Sequence, residues 1–295
     1  MADNFNTSQL GERYANFYTD FAFKKFFGTE ANKDLLISFL NALLSGAEDI
    51  VDIRYLPTEH LSSAVEDRRA IFDIYCENKD GDKFIIEMQK TSQDFFKDRA
   101  LYYASFPIRE FAPRGEWDYE LKRVYCIGIL NFKFDDKSSE VKNVVKLMDV
   151  KKKTVFYDKL TFIFLEMPKF KKSLDELNNM YEKWLFAIKN LNKLFERPAE
   201  LSEKVFLKLF ETAEISKFTT VERRDYEESM KNFRDLFASL ETKYNAGVRD
   251  ERERAHQEKL ENALGFYKSG LAIDQIAQIM KLDFAELTEF IENHK

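Results

Sequence analysis

Two short apolar runs joined by a polar turn carry the residues best suited to chemistry: Asp73 on the first, Glu87 and Gln89 on the second. Thirteen residues separate the two carboxylates, and the turn between the runs is Asn78-Lys79-Asp80-Gly81-Asp82, a strong hairpin signal. The even positions Ala70, Phe72, Ile74 and Cys76 are apolar on the first run, as are Phe84, Ile86 and Met88 on the second. If these even positions share one face, opposed residues must both be even. The turn then has an odd length, and paired residue numbers sum to about 160. Asp73 therefore faces Glu87 with Cβ atoms about 5 Å apart, and Gln89 lies beside them. Like charges opposed across a strand pair repel. A divalent cation resolves the conflict, because Mg²⁺ (or Mn²⁺) takes one or two carboxylates, several waters and phosphate oxygens. Such a metal would also activate a water for attack on a phosphodiester. A solvated face would leave the pair harmless, so the metal reading requires that this face be covered.

The elements around the hairpin are legible from periodicity. A helical pattern is predicted from about Gly11, through Tyr14, Phe17, Phe21 and Phe27, to a stop at Gly28. A second helix carries Leu35, Leu36, Phe39, Leu40, Leu43 and Leu44, and stops near Gly46. Strands are expected over 50–56, 69–77 and 83–90, then a helix over 93–111 bent at Pro107, then buried strands over 122–132 and 160–165. From Leu174 the pattern is helical, with Pro198 marking a helix start and a charge-dense, solvated helix over 241–261.

Composition narrows the function classes. The chain has 295 residues, 44% of them hydrophobic, with 29 Phe, which excludes a disordered chain. No window approaches the 18 or so uninterrupted apolar residues of a membrane span. The first residues show no secretory pattern, so a cytoplasmic protein is expected. Cys76 and Cys126 are too few for a disulfide framework, and His60, His256 and His294 lie far apart in the sequence, which argues against a zinc site. Net charge is −6, yet residues 121–172 carry 13 basic and 6 acidic side chains between acidic flanks. That segment suits a local phosphate-binding surface, or a solvated lysine-rich hairpin.

Five blocks carry a family resemblance: TDFAFKKFFG (19–28), NKDLLISFLNALL (32–44), FDIYCENKDGDKFIIEMQ (72–89), RALYYASF (99–106) and WDYELKRVYCIGILNF (117–132). In this order they resemble the PD-(D/E)XK nuclease superfamily, and within it the recombination-promoting nuclease/putative transposase family. The resemblance implies an α/β fold: a restriction-endonuclease-like core, with a mixed central sheet flanked by helices, over 1–172. A helical C-terminal region over 173–295 follows. It further implies a metal-dependent DNA endonuclease linked to mobile elements or recombination, which hydrolyses phosphodiester bonds to leave 5′-phosphate and 3′-hydroxyl ends. Asp73 and Glu87 would be the metal ligands, Gln89 would stand where most of the superfamily has Lys, and Asp20 could join the site from the first helix. Phe72 replaces the Pro of the motif. Gln89 can orient water but adds no positive charge, and Lys90 points to the opposite face of a regular strand.

Several flanking residues have two readings each. Asp20 and Lys24 form an i,i+4 surface pair, or sit at the margin of a very apolar helix where a site begins. Arg99 and Tyr102 would contact the scissile phosphate or hold the carboxylates, and Tyr102 and Tyr103 would otherwise pack in the core. Lys97, Arg109 and Arg114 would meet the DNA backbone or water. Residues 269–293 resemble a small helix-turn-helix unit, but Asp283, Glu286, Glu289 and Glu292 on its second helix oppose DNA reading and favour a structural or protein-contact role. A catalytically weak or inactive nucleic-acid-binding or protein-interaction protein on the same fold is the alternative. A double-strand break needs two sites or two successive nicks, and a homodimer is one way to supply them.

Overall fold

The computed structural model describes residues 11–46, 48–60, 70–92, 94–111, 119–134 and 137–294. It divides into two compact units, Met1–Met230 and Lys231–Lys295. The first unit opens with α1 (Asp20–Phe27) and α2 (Lys33–Leu44). Short strands β1 (Ile53–Tyr55), β2 (Glu59–His60) and β3 (Ala70–Ile71) follow, then the hairpin β4 (Ile74–Asn78) and β5 (Lys83–Gln89). Next come α3 (Phe96–Glu110), β6 (Val124–Leu130), β7 (Lys142–Asp149) and β8 (Thr154–Glu166). Helices α4 (Met180–Asn190) and α5 (Lys204–Ala213) precede the 49-residue α6 (Thr220–Lys268), which crosses the boundary between the units. The second unit ends in α7 (Ile273–Met280) and α8 (Phe284–Asn293).

Six strands form one mixed sheet in the order β1-β4-β5-β6-β8-β7, in which β5, β6 and β8 run parallel and the other neighbours antiparallel. Parallel neighbours need a long crossover, and α3 provides it between β5 and β6. Its Ala104 and Phe106 bury against Ile85, Cys126, Phe162 and Phe164, so the odd-numbered face of β5 is covered. On the opposite face Phe84 stacks on Tyr125, whose hydroxyl donates to Glu48 just beyond α2. Helices α1, α2, α4 and α5 meet around Trp184, which contacts Phe27, Phe39 and Phe206. The architecture is thus the expected one, a mixed sheet flanked by helices and then a helical region.

The hairpin register matches the parity argument: Ile74 faces Ile86, Tyr75 faces Ile85 and Cys76 faces Phe84. Asn78 fixes the five-residue turn by accepting from the backbone N–H groups of Asp80 and Asp82 through Oδ1. Elsewhere the structure departs from the sequence reading. Residues 11–19 are not helical. Tyr14 bridges to Glu214, and Thr19 caps α1 by accepting from the Ala22 N–H, so the early aromatic spacing reflects packing of Phe17 on Phe26 and Phe27. The run 69–77 is broken. β3 pairs with β2, the chain bends at Asp73, and Phe72 turns onto the α3 face beside Tyr75 despite its even number. Pro198 lies in a turn whose carbonyl accepts from Leu201, and the helix starts at Lys204. Periodicity does not mark strand β7, whose exposed, lysine-interrupted residues carry no burial period; with β8 it forms the lysine-rich hairpin that the charge pattern of 121–172 allows.

Gly81 has φ +83°, and a Cβ there would meet nothing closer than Lys122 at 3.6 Å. The cost of Gly81→Ala is therefore backbone strain alone, about 1–2 kcal/mol. Urea denaturation should give a lower midpoint with an unchanged slope.

Candidate active site

The bend between β3 and β4 places Asp73 one residue before β4, where the register, continued by one step, sets it opposite Glu87. Two hydrogen bonds lock the pair. The Asp73 N–H donates to Glu87 Oε1 (3.0 Å), and the Met88 N–H donates to Asp73 Oδ2 (2.9 Å). Each carboxylate is thus held by the backbone of the other's strand. Gln89, buried at 7% exposure, donates through Nε2 to Glu87 Oε2 (3.3 Å). Arg99 of α3 brings Nη2 to 3.7 Å from the same oxygen, and its guanidinium lies 4.9 Å from the centre of the Tyr103 ring.

Glu87, Gln89, Arg99 and Tyr103 line a cavity of about 30 Å³ whose apolar wall includes Phe164 and Gly128. That is room for a water molecule. Gly128 stands directly beside Glu87 in the sheet, and a Cβ there would come within 3.1 Å of the Phe164 ring. Glycine at this position keeps the space beside the carboxylate open.

The electrostatics are those of a frustrated pair. Burial raises the pKa of Glu87, and the neighbouring Asp73 charge raises it further, against the lowering by the Asp73 N–H, Arg99 and Gln89. Burial also raises Asp73, the Met88 N–H opposes this, and Asp20 adds to it while Lys24 and Lys90 lower it. Desolvation and like charge act together on both groups.

On the α1 side, Asp20 opens the helix with its side chain 66% exposed, and its Oδ1 pairs with Lys90 Nζ at 2.8 Å. The expected Asp20–Lys24 pair is replaced by this one. Lys90 lies one residue beyond β5, so strand alternation no longer fixes its direction, and its side chain is only 16% exposed. Lys24 is exposed on α1. Tyr102 is 44% exposed with its ring on Phe106, whereas the neighbouring Tyr103 lines the cavity. Lys97 lies over the Phe134 ring, Arg109 is exposed, and Arg114 falls outside the described residues.

Among the described residues no three His, Cys, Asp or Glu side chains converge. The donor set is therefore two carboxylates, with Asp20 turned to its lysine. This set fits a hard divalent cation that keeps most of its waters, as Mg²⁺ does. Asp73 Oδ1 has no hydrogen bond to any described residue, so an acceptor oxygen remains for a cation. Sequence reasoning placed Lys90 on the opposite face, because alternation holds only to the end of the strand, and took Tyr102 rather than Tyr103 from the helical spacing after Arg99. It missed Gly128, which nothing in the sequence signalled.

A family model described as PD-(D/E)XK nuclease family transposase matches residues 17–243, from just before α1 into α6. No curated protein and no solved structure matches the chain.

Burial and the Asp73 charge push Glu87 up to about 8, so above that pH, where both carboxylates are ionised, removing one charge should relieve the repulsion. In EDTA, Glu87→Gln is expected to melt at or above the wild-type temperature. Mg²⁺ at tenfold its dissociation constant should stabilise the wild type by about 1.4 kcal/mol, a rise of a few degrees, and should leave Glu87→Gln unmoved. Calorimetry with and without Mg²⁺ checks both.

Proposed function

Taking as premise that this chain belongs to the PD-(D/E)XK nuclease family of transposases, we propose that it is a metal-dependent DNA endonuclease. The observation that carries the reading is the half-buried Asp73–Glu87 pair, bound reciprocally through backbone N–H groups beside a water-sized cavity. Asp73 and Glu87 would hold the Mg²⁺ or Mn²⁺ ion. Bound there, such an ion lowers the pKa of a water and neutralises charge building on a phosphate. Gln89 orients Glu87 and presents an amide to water in the cavity. Arg99 holds the same carboxylate and is itself set by the face of Tyr103. Lys90, steered by Asp20, and Lys24 supply positive potential on the Asp73 side for a phosphate, and Tyr102 lies on the outer part of α3 where DNA would pass. In-line attack by water gives 5′-phosphate and 3′-hydroxyl products. The nuclease-like core is assigned to 1–172, the helical region with its terminal helix-turn-helix-like unit to 173–295. A cytoplasmic location, a link to recombination or mobile elements, and a homodimer for double-strand cutting complete the proposal.

The neutral Gln89 supports a second reading, a nucleic-acid-binding protein on the same fold that does not cut. Supercoiled plasmid incubated with Mg²⁺, Mn²⁺ or EDTA separates the two. The wild type should nick in either metal and not in EDTA, and Asp73→Ala should lose at least 100-fold, the scale set by loss of one preorganised charge-stabilising group. Cutting that appears only in Gln89→Lys would favour the binding reading. End-labelling that finds 3′-phosphates would exclude the mechanism.

A further inference from the structure

The basic segment 121–172 is not one surface. Five of its 13 cations serve the fold: Lys142 donates to the Leu43 carbonyl, Lys159 to the Leu121 carbonyl, Lys169 pairs with the buried Glu166, Lys172 with Glu182, and Arg123 with Glu48 and Asp158. Of the other eight, Lys146, Lys151, Lys152 and Lys153 cluster where β7 and β8 leave the sheet. Up to Lys146 and from Thr161, β7 is the sheet edge. Beyond a bulge at Lys146–Met148, residues Leu147–Asp149 pair only with Thr154–Tyr157, so a two-stranded ribbon projects without a third strand. Its tip is Val150-Lys151-Lys152-Lys153. Asp149 orders this turn: its Oδ1 accepts from the N–H groups of Lys151 and Lys152, and its carbonyl from the Lys153 N–H. Lys152 Nζ lies 3.9 Å from Asp149, while Lys146, Lys151 and Lys153 have no anionic partner among the described residues. Val150 and Phe156 are each 79% exposed on the same ribbon.

We propose that this ribbon, residues 147–157, is a DNA-binding arm whose three tip lysines contact backbone phosphates and whose Phe156 contributes an apolar contact in the groove. The inference rests on the nuclease reading and gives it a second point of contact with the same duplex. A two-stranded ribbon fits the major groove, and lysine–phosphate contacts position a protein without reading sequence. Glu87 and Phe164 share a row across the sheet, and the tip lies about ten residues along β8 from that row, roughly 30 Å. That is close to one helical turn of duplex. Lysine on an edge strand and a bulge both discourage strand addition by a second copy, and the unpaired charge suits a polyanion.

Binding of a 30-base-pair duplex by the full chain in EDTA, followed by anisotropy across a salt series, tests the arm apart from cutting. The triple variant Lys151→Ala/Lys152→Ala/Lys153→Ala should lower the slope of log K against log salt by about two to three, at about 0.9 per phosphate contact. Affinity at low salt should fall at least tenfold. Lys122→Ala/Lys171→Ala, exposed positions of the same basic segment off the ribbon, should lose less of the slope than the tip variant. Phe156→Ser should weaken binding with the slope unchanged. A tip variant with the wild-type slope would overturn the arm while leaving the DNA reading intact. Wild type that does not bind DNA would overturn both. A tip variant that changes only oligomeric state, read by light scattering, would reassign the ribbon to contact with a second copy.

Discussion

Everything around the site follows from placing two like charges side by side under cover. Asp73 and Glu87 are brought together by a hairpin register and then held by backbone N–H groups, Glu87 by that of Asp73 and Asp73 by that of Met88. Burial by α3 removes the water that would screen them. Left alone, this arrangement costs stability. On the function proposed above, a divalent cation would neutralise the pair, with both carboxylates already fixed by these hydrogen bonds. The break between β3 and β4 belongs to the same solution, because a continuous strand would have kept Phe72 on the opposite face from Tyr75.

The surrounding polar groups are arranged in two layers. Arg99 and Gln89 approach Glu87 from within the covered face, while Lys90, Lys24 and Asp20 surround Asp73 from the α1 side. Positive charge absent at position 89 is therefore present from the next residue, beyond the end of β5. The absence of a side chain at Gly128 matters as well, for Gly128 stands between Glu87 and Phe164 in the sheet and a Cβ there would fill the space that separates the carboxylate from the Phe164 ring.

The second unit is organised differently. The end of α6 packs Leu260 and Ala263 against Ile276 and Ala277 of α7 and Leu287 and Ile291 of α8. Asp283 caps α8 by accepting from two backbone N–H groups, and Glu286 meets His256 at 2.7 Å. Two of the acidic residues on that small motif thus have structural employment, in keeping with a structural or protein-contact role.

Features that depend on short-range pattern are already written in the chain. The alternation of apolar residues and an odd, Gly-containing turn fixed the register of β4 and β5, and hence the meeting of Asp73 with Glu87. A nearly continuous apolar run identified β6 as wholly buried, and five blocks in a fixed order pointed to the fold. Tertiary structure alone decided what depends on which surface covers which. It broke the strand at Asp73, gave Lys90 rather than Lys24 to Asp20, chose Tyr103 over Tyr102 for the cavity, and divided the lysines of 121–172 between the fold and the free ribbon. The physical reason is common to these cases. Alternation and turn chemistry act between residues a few positions apart, whereas burial, desolvation and ion pairing are set by distant segments that the chain brings together only on folding.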